Sequence, residues 1–146
     1  MTNEILKQFS ATAASSGGIA LFHMIGVTPE AQTKEQAFGG KEPKEVVEIH
    51  LSDLAEAERQ ITNPDVTDID AVVLGCPHCS YNECARVEEL LRGRHVNDHV
   101  KFWLITARSV LDRLKDSGLY ERLIRLGVEI YCDGCNIGTK TWVPTR

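Results

Sequence analysis

The sequence predicts an α/β fold: a parallel sheet with helices on both faces, formed by residues 1–146 as a single domain. Three observations carry this. Short apolar runs of strand length recur along the chain, amphipathic segments of helix length separate them, and the runs are continuously apolar rather than alternating. Strands buried on both faces read this way, whereas a half-exposed antiparallel strand would alternate polar and apolar residues. The chain of 146 residues is long enough to enclose one core.

Each element has its own signal. Ile5, Leu6, Phe9 and Ala13 stand at helical spacing over 3–15, and Ser16-Gly17-Gly18 ends the segment. Ile19 to Phe22 reads as a buried strand. Thr28-Pro29-Glu30 reads as a helix start, with Thr28 as N-cap and Pro29 in the first turn. Val46 to Ile49 reads as a second strand, and Ser52 as the cap of a helix carrying Leu54, Ala57 and Ile61, which Asn63-Pro64 ends. The clearest strand runs from Ile69 through Ala71, Val72, Val73 and Leu74. Ser80 and Glu83 then form a capping box for a helix holding Val87, Leu90 and Leu91. Val100 to Ile105 is a strand. Thr106 opens a helix through Leu111 and Leu114, Leu119 to Leu126 is another helix closed by Gly127, and Val128 to Tyr131 is the last strand.

Composition narrows the function classes. Hydrophobic residues make up 42% and charged residues 25%, which fits a globular chain rather than a disordered one. Net charge is −5 with both signs interspersed, and the densest basic stretch, Arg86 to Arg94, is broken by Glu88 and Glu89. A phosphate backbone needs a basic stripe, so nucleic acid is not an expected partner. No apolar run approaches the ~20 residues of a membrane helix, and the N-terminus lacks a basic region followed by an apolar stretch. The expectation is a cytoplasmic protein away from membranes, whose five cysteines serve as metal ligands, redox groups or core residues rather than disulfides.

The reactive residues fall at strand ends. In open α/β sheets ligands bind beyond the carboxyl ends of the strands. His23 follows the first predicted strand, Gly75-Cys76-Pro77-His78 the third, Thr106 and Arg108 the fourth, and Cys132-Asp133-Gly134-Cys135 the last. Two readings of the cysteines need no family knowledge. Cys76, Cys79, Cys132 and Cys135 are two Cys-x-x-Cys pairs able to hold zinc tetrahedrally, although 52 residues separate the pairs. Cys76-Pro-His-Cys79 between a strand and a helix also suits a thiol–disulfide oxidoreductase, the helix dipole favouring a thiolate.

A third reading comes from resemblance. The run Ser15 to Ala31, SSGGIALFHMIGVTPEA, resembles the SSG–ALFH–GVTPEA block of the aconitase X family. Val73 to Ser80, VLGCPHCS, is similar to that family's LGCPH-x-S block, with Cys79 where the family usually has an aromatic residue. Asp133-Gly134-Cys135 falls where the family has Asp-Thr-Cys after the same strand. The blocks stand in family order across nearly the whole chain. This resemblance implies a hydro-lyase, with iron or an iron–sulfur centre held by cysteines, acting on a small hydroxy acid such as mevalonate 5-phosphate or cis-3-hydroxy-L-proline. It implies an aconitase-superfamily-like α/β domain matching the C-terminal part of a longer catalytic chain. A further cysteine ligand would then come from outside these residues, and a serine base from a small swivelling subunit or fused domain.

On the residues themselves the resemblance implies Cys76 and Cys135 as metal ligands. Dehydration needs a Lewis acid on the hydroxyl and a base for the neighbouring proton. His78 and His23 are the candidate catalytic groups, and Thr28 and Arg108 the candidate substrate contacts, Arg108 by bidentate pairing with a carboxylate. Cys79, Cys84 and Cys132 carry no assigned role.

Overall fold

The computed structural model describes residues 2–135. The chain divides into two compact units, one formed by residues 12–68 and one by residues 2–11 together with 69 onward. Each is described by itself. No helix among the described residues is long and apolar enough to cross a membrane.

In the first unit the helical spacing is realised and the predicted strands are not. Helix α1 (Asn3–Gly17) begins in the second unit and ends in the first, with Ala13 buried. Residues 19–22 and 46–49 carry no regular structure, and Ile19, Leu21, Val46, Val47 and Ile49 are exposed. An apolar run becomes a strand only when another strand takes its N–H and C=O groups. Among described residues 12–68 no strand forms, so these runs have nothing to pair with.

Thr28 also departs from expectation. It sits in a turn, buried, its hydroxyl donating to the Met24 carbonyl and accepting from the Met24 N–H, both at 3.2 Å. The helix starts later, as α2 (Lys34–Phe38), with Thr33 and Gln36 forming the capping box. Thr28 closes a local turn instead because its hydroxyl lies within reach of residue 24. Helix α3 (Leu51–Ile61) starts one residue before Ser52, and the Asp53 carboxylate accepts from the His50 N–H at 2.8 Å.

The second unit is the parallel α/β fold that the sequence predicts. Strands β1 (Ala71–Cys79), β2 (Lys101–Thr106) and β3 (Val128–Cys132) form one sheet in the order β1-β2-β3, with both neighbours parallel. Between them run α4 (Tyr81–Leu91), α5 (Arg108–Asp116) and α6 (Leu119–Arg125). Sequential strand order with right-handed crossovers puts the connecting helices on the same side of the sheet. One cluster accordingly joins Cys84 and Val87 of α4, Leu104 of β2, Leu114 of α5, Leu119 and Leu123 of α6 and Val128 of β3. These helices share one face rather than dividing between two. Leu104, Leu114 and Leu123 are fully buried, each contributing about 2 kcal/mol of transfer free energy. The alternate residues Trp103, Glu129 and Tyr131 share a polar network, with the Trp103 indole N–H and the Tyr131 hydroxyl both donating to Glu129 Oε2, at 3.2 and 2.6 Å.

Local chemistry sets the element ends that lead to the site. At α4 the Ser80 hydroxyl accepts from the Glu83 N–H at 3.2 Å and Glu83 Oε2 accepts from the Ser80 N–H at 2.7 Å, the expected capping box. Lys7 of α1 reaches the same corner, bonding Glu83 at 2.5 Å and the His78 carbonyl at 2.8 Å. Burial pushes the Glu83 carboxyl up, but bonds from Lys7, the Ser80 N–H and Gln8 outweigh it and hold it below the usual value. Helix α5 begins at Arg108, and Thr106, expected to open it, is the last residue of β2 instead.

Candidate functional site

The site grows from an interruption in β1. Ala71 to Leu74 pair residue for residue with Lys101 to Leu104, and Cys79 pairs with Thr106. Four residues of β1, Gly75 to His78, therefore stand opposite Ile105 alone. Pro77 has no N–H to give to a ladder, so the strand has reason to leave register here. Such bulges re-aim side chains and recur beside active sites. Gly75 adopts φ +125°, and a Cβ there would press on the carbonyl oxygen and Cβ of Ile105. Only glycine lets the hump sit this close to β2. The Cys76–Pro77 peptide is cis.

Below the hump the sheet edge is tied together. The Thr106 hydroxyl, fully buried, donates to the Cys79 carbonyl at 2.6 Å, and the Thr106 carbonyl accepts from the Asp133 N–H at 3.0 Å. The residues after β3 thus hang from the end of β2, which in turn holds the end of β1. His78 crosses the gap, its Nε2 lying 2.9 Å from the Gly134 carbonyl oxygen. A carbonyl can only accept, so Nε2 is the donor of this bond.

Gly75, Cys76, Pro77, His78, Asp133, Gly134 and Cys135 line one open hollow of about 420 Å³ at this edge. The two cysteines that the resemblance marks, from segments nearly sixty residues apart, therefore share one concavity. Both are exposed. Cys79 and Cys84 are buried in the helix-covered core. Burial, reinforced by the Glu83 charge, pushes the Cys79 thiol up to about 11, and burial with the neighbouring Cys79 takes Cys84 to about 12. Burial and the Asp133 charge also raise the half-buried Cys132.

These environments weigh on the two family-free readings. Among the described residues no group of three or more His, Cys, Asp or Glu side chains is placed to close a metal site. The four thiols of the zinc reading are not gathered, because Cys79 faces the core. The oxidoreductase reading needs its first thiol at a helix N-terminus, yet Cys76 lies in the hump and α4 begins only at Tyr81. What the chain offers is a pair of exposed thiols.

Native alkylation checks these environments. With iodoacetamide at mildly alkaline pH, Cys76 and Cys135 are expected to react in the folded protein. Cys79 and Cys84 are expected to react only after unfolding, as read by peptide mass spectrometry. Fast native labelling of Cys79 or Cys84 contradicts the burial described.

The remaining candidates lie elsewhere. Arg108 does not line the hollow. Its N–H donates to Asp133 Oδ1 and its Nε to Asp133 Oδ2, both at 3.2 Å. These contacts, the backbone N–H first, hold the Asp133 carboxyl below the usual aspartate value. His23 and Thr28 belong to the first unit, His23 exposed and the Thr28 hydroxyl engaged with Met24. Sequence reasoning missed Asp133, Gly75 and Thr106 as structural determinants of the site. Asp133 carried a signal, an acidic residue just after a strand and beside a glycine, but its partner at the start of α5 is visible only in three dimensions.

The chain is similar to known proteins over most of its length. Residues 69–145 match the family profile described as aconitase X third domain, and residues 1–59 the profile for aconitase X second domain. The chain is 36% identical over 131 residues to a cis-3-hydroxy-L-proline dehydratase of Hypocrea jecorina, covering 89% of this chain and 22% of that protein. It is 35% identical over 134 residues to the phosphomevalonate dehydratase large subunit of Methanosarcina mazei, covering 90% of this chain and 30% of that one. The crystal structure of Thermococcus kodakaraensis aconitase X in its holo-form superposes with a TM-score of 0.82 at 30% identity, over 97% of this chain and 36% of the other. The chain spans between about a fifth and a third of the length of its curated relatives.

Proposed function

Because the chain belongs to the aconitase X family, we propose that it forms the cysteine-bearing edge of an iron- or iron–sulfur-dependent hydro-lyase acting on a small hydroxy acid. One observation carries the reading: Cys76 and Cys135 line the same hollow, together with His78, which bonds the Gly134 carbonyl. Thiolate donors on an exposed concavity suit an iron–sulfur centre. The described residues fit as two of its ligands, and a third comes from another part of the architecture.

Bound there, such a centre supplies Lewis acidity toward the hydroxyl that leaves. The protein groups have separate tasks. The hump carries Cys76 and the Thr106–Asp133 ladder carries Cys135, so the sheet edge fixes both thiolates. His78, anchored through Nε2 to the Gly134 carbonyl, has Nδ1 as its second hydrogen-bonding atom for the substrate. The base for the neighbouring carbon belongs to a small swivelling subunit or fused domain; the designation "large subunit" of the Methanosarcina mazei relative supports the existence of a small partner subunit. Substrates follow the relatives: cis-3-hydroxy-L-proline or mevalonate 5-phosphate. His23 and Thr28 lie within the second-domain match and stay candidates for the wider substrate surface.

The test uses the native assembly, isolated anaerobically through a tag on this chain. Supplied with each acid, it is expected to release water from one of them, read as the unsaturated product by mass spectrometry. An iron-bearing assembly that dehydrates neither contradicts the proposal.

A further inference from the structure

We propose that Asp133 and Arg108 form a positioning strap that sets where Cys135 stands relative to Cys76. This rests on the assignment of those two cysteines as ligands and deepens it. A helix start is ordinarily capped by the residue just before it. Here that residue is Ala107, which has no side-chain acceptor, and the carboxylate comes from Asp133, twenty-five positions beyond Arg108. Asp133 Oδ1 takes the Arg108 N–H and Oδ2 takes Arg108 Nε, so both oxygens are committed to one residue.

The backbone around Asp133 is fixed as well. Its φ is +54°, the left-handed region that favours glycine, and its N–H bonds the Thr106 carbonyl. The next residue, Gly134, accepts from His78. Asp133 and Gly134, the two residues just before Cys135, are thereby tied to the end of β2, the start of α5 and the hump of β1.

The ion pair itself adds little stability. The Arg108 and Asp133 side chains are 78% and 47% exposed, and an exposed ion pair is worth little to folding. A two-point contact between a guanidinium residue and a carboxylate instead fixes direction. The consequence of that direction falls on Cys135, two positions on. Arg108 thus acts on the site through Asp133, as a positioning residue rather than as the substrate contact expected from sequence.

The experiment reads thiol geometry without any metal. The full chain carrying Cys132→Ser is treated with dibromobimane, which fluoresces once both arms have alkylated, and the Cys76–Cys135 bridge is confirmed by peptide mapping. The parent is expected to bridge readily. Asp133→Ala is expected to slow the closing alkylation by roughly tenfold or more, while single-arm labelling of Cys76 is unchanged. Asp133→Asn keeps the acceptor for the Arg108 N–H and recovers part of the rate, and Arg108→Gln falls between the two. The midpoint of Asp133→Ala is expected to fall modestly, as the loss of a helix cap requires, and to recover in Asp133→Asn. Bridging in Asp133→Ala as fast as in the parent overturns the proposal. So does a parent that forms no bridge, or a loss in Asp133→Ala that simply follows a lowered midpoint and is not recovered by asparagine. Fast bridging in a parent that takes up no iron overturns the ligand assignment and leaves the strap standing. Iron uptake with equal bridging in parent and Asp133→Ala does the reverse.

Discussion

Gly75→Ala is expected to unfold at a clearly lower urea concentration than the parent, with a loss of about 3 kcal/mol. Two costs combine. At φ +125° an L side chain is strained in itself, and the added Cβ meets the Ile105 carbonyl oxygen and Cβ. Ile105 is fully buried in the central strand, so it has little room to yield. The hump must then lift from β2 and carry Cys76 and His78 with it. Urea denaturation followed by far-ultraviolet circular dichroism measures the loss, and a midpoint equal to the parent's contradicts the close approach.

Thr106 gives the second large effect, and here the order of two variants matters. Thr106→Val preserves shape but removes the buried hydroxyl that donates to the Cys79 carbonyl at 2.6 Å. An acceptor left without this donor in the interior costs about 2 kcal/mol. Thr106→Ser keeps the donor and loses one methyl, costing about 1 kcal/mol. Valine is therefore expected to destabilise more than serine in the same urea measurement. The reverse order would mean that Thr106 serves the core by volume alone.

Much of the second unit was legible because its signals are local or periodic. The Ser80–Glu83 capping box, the helix ending before Gly127 and the three continuously apolar strands each announce themselves within a few residues. The runs at 19–22 and 46–49 carry the same apolar signal, yet they form no strand. Pairing is a property of the neighbour, which no local window contains. Thr28 misled for a related reason: Thr-Pro-Glu is a helix start by composition, but a hydroxyl that reaches Met24 is better satisfied in a turn.

At the site, the rule that ligands gather at the carboxyl ends of strands brought Cys76, His78 and Cys135 to one edge, and these three line one hollow. The way they are held was not legible. Cys76-Pro77-His78 looks like the loop after a strand, whereas β1 resumes its pairing at Cys79, a register fact that depends on β2. Arg108 looks like a solvent-facing arginine or an anion contact until Asp133 is seen beside it. The five cysteines, alike in sequence, are separated by burial, two in the core, one half-buried and two at the hollow.

We propose above that Cys76 and Cys135 hold an iron–sulfur centre at the edge of the parallel sheet. Anaerobic reconstitution of the chain with ferrous iron and sulfide, with excess 2-mercaptoethanol as an outside thiolate, checks this assignment. Iron, acid-labile sulfide and visible charge-transfer absorption are measured together. The parent and Cys132→Ser are expected to take up both elements, and Cys76→Ala and Cys135→Ala are each expected to lose them while remaining folded. Uptake unaffected by either alanine, or retention of zinc in place of iron through all four of Cys76, Cys79, Cys132 and Cys135, would contradict it.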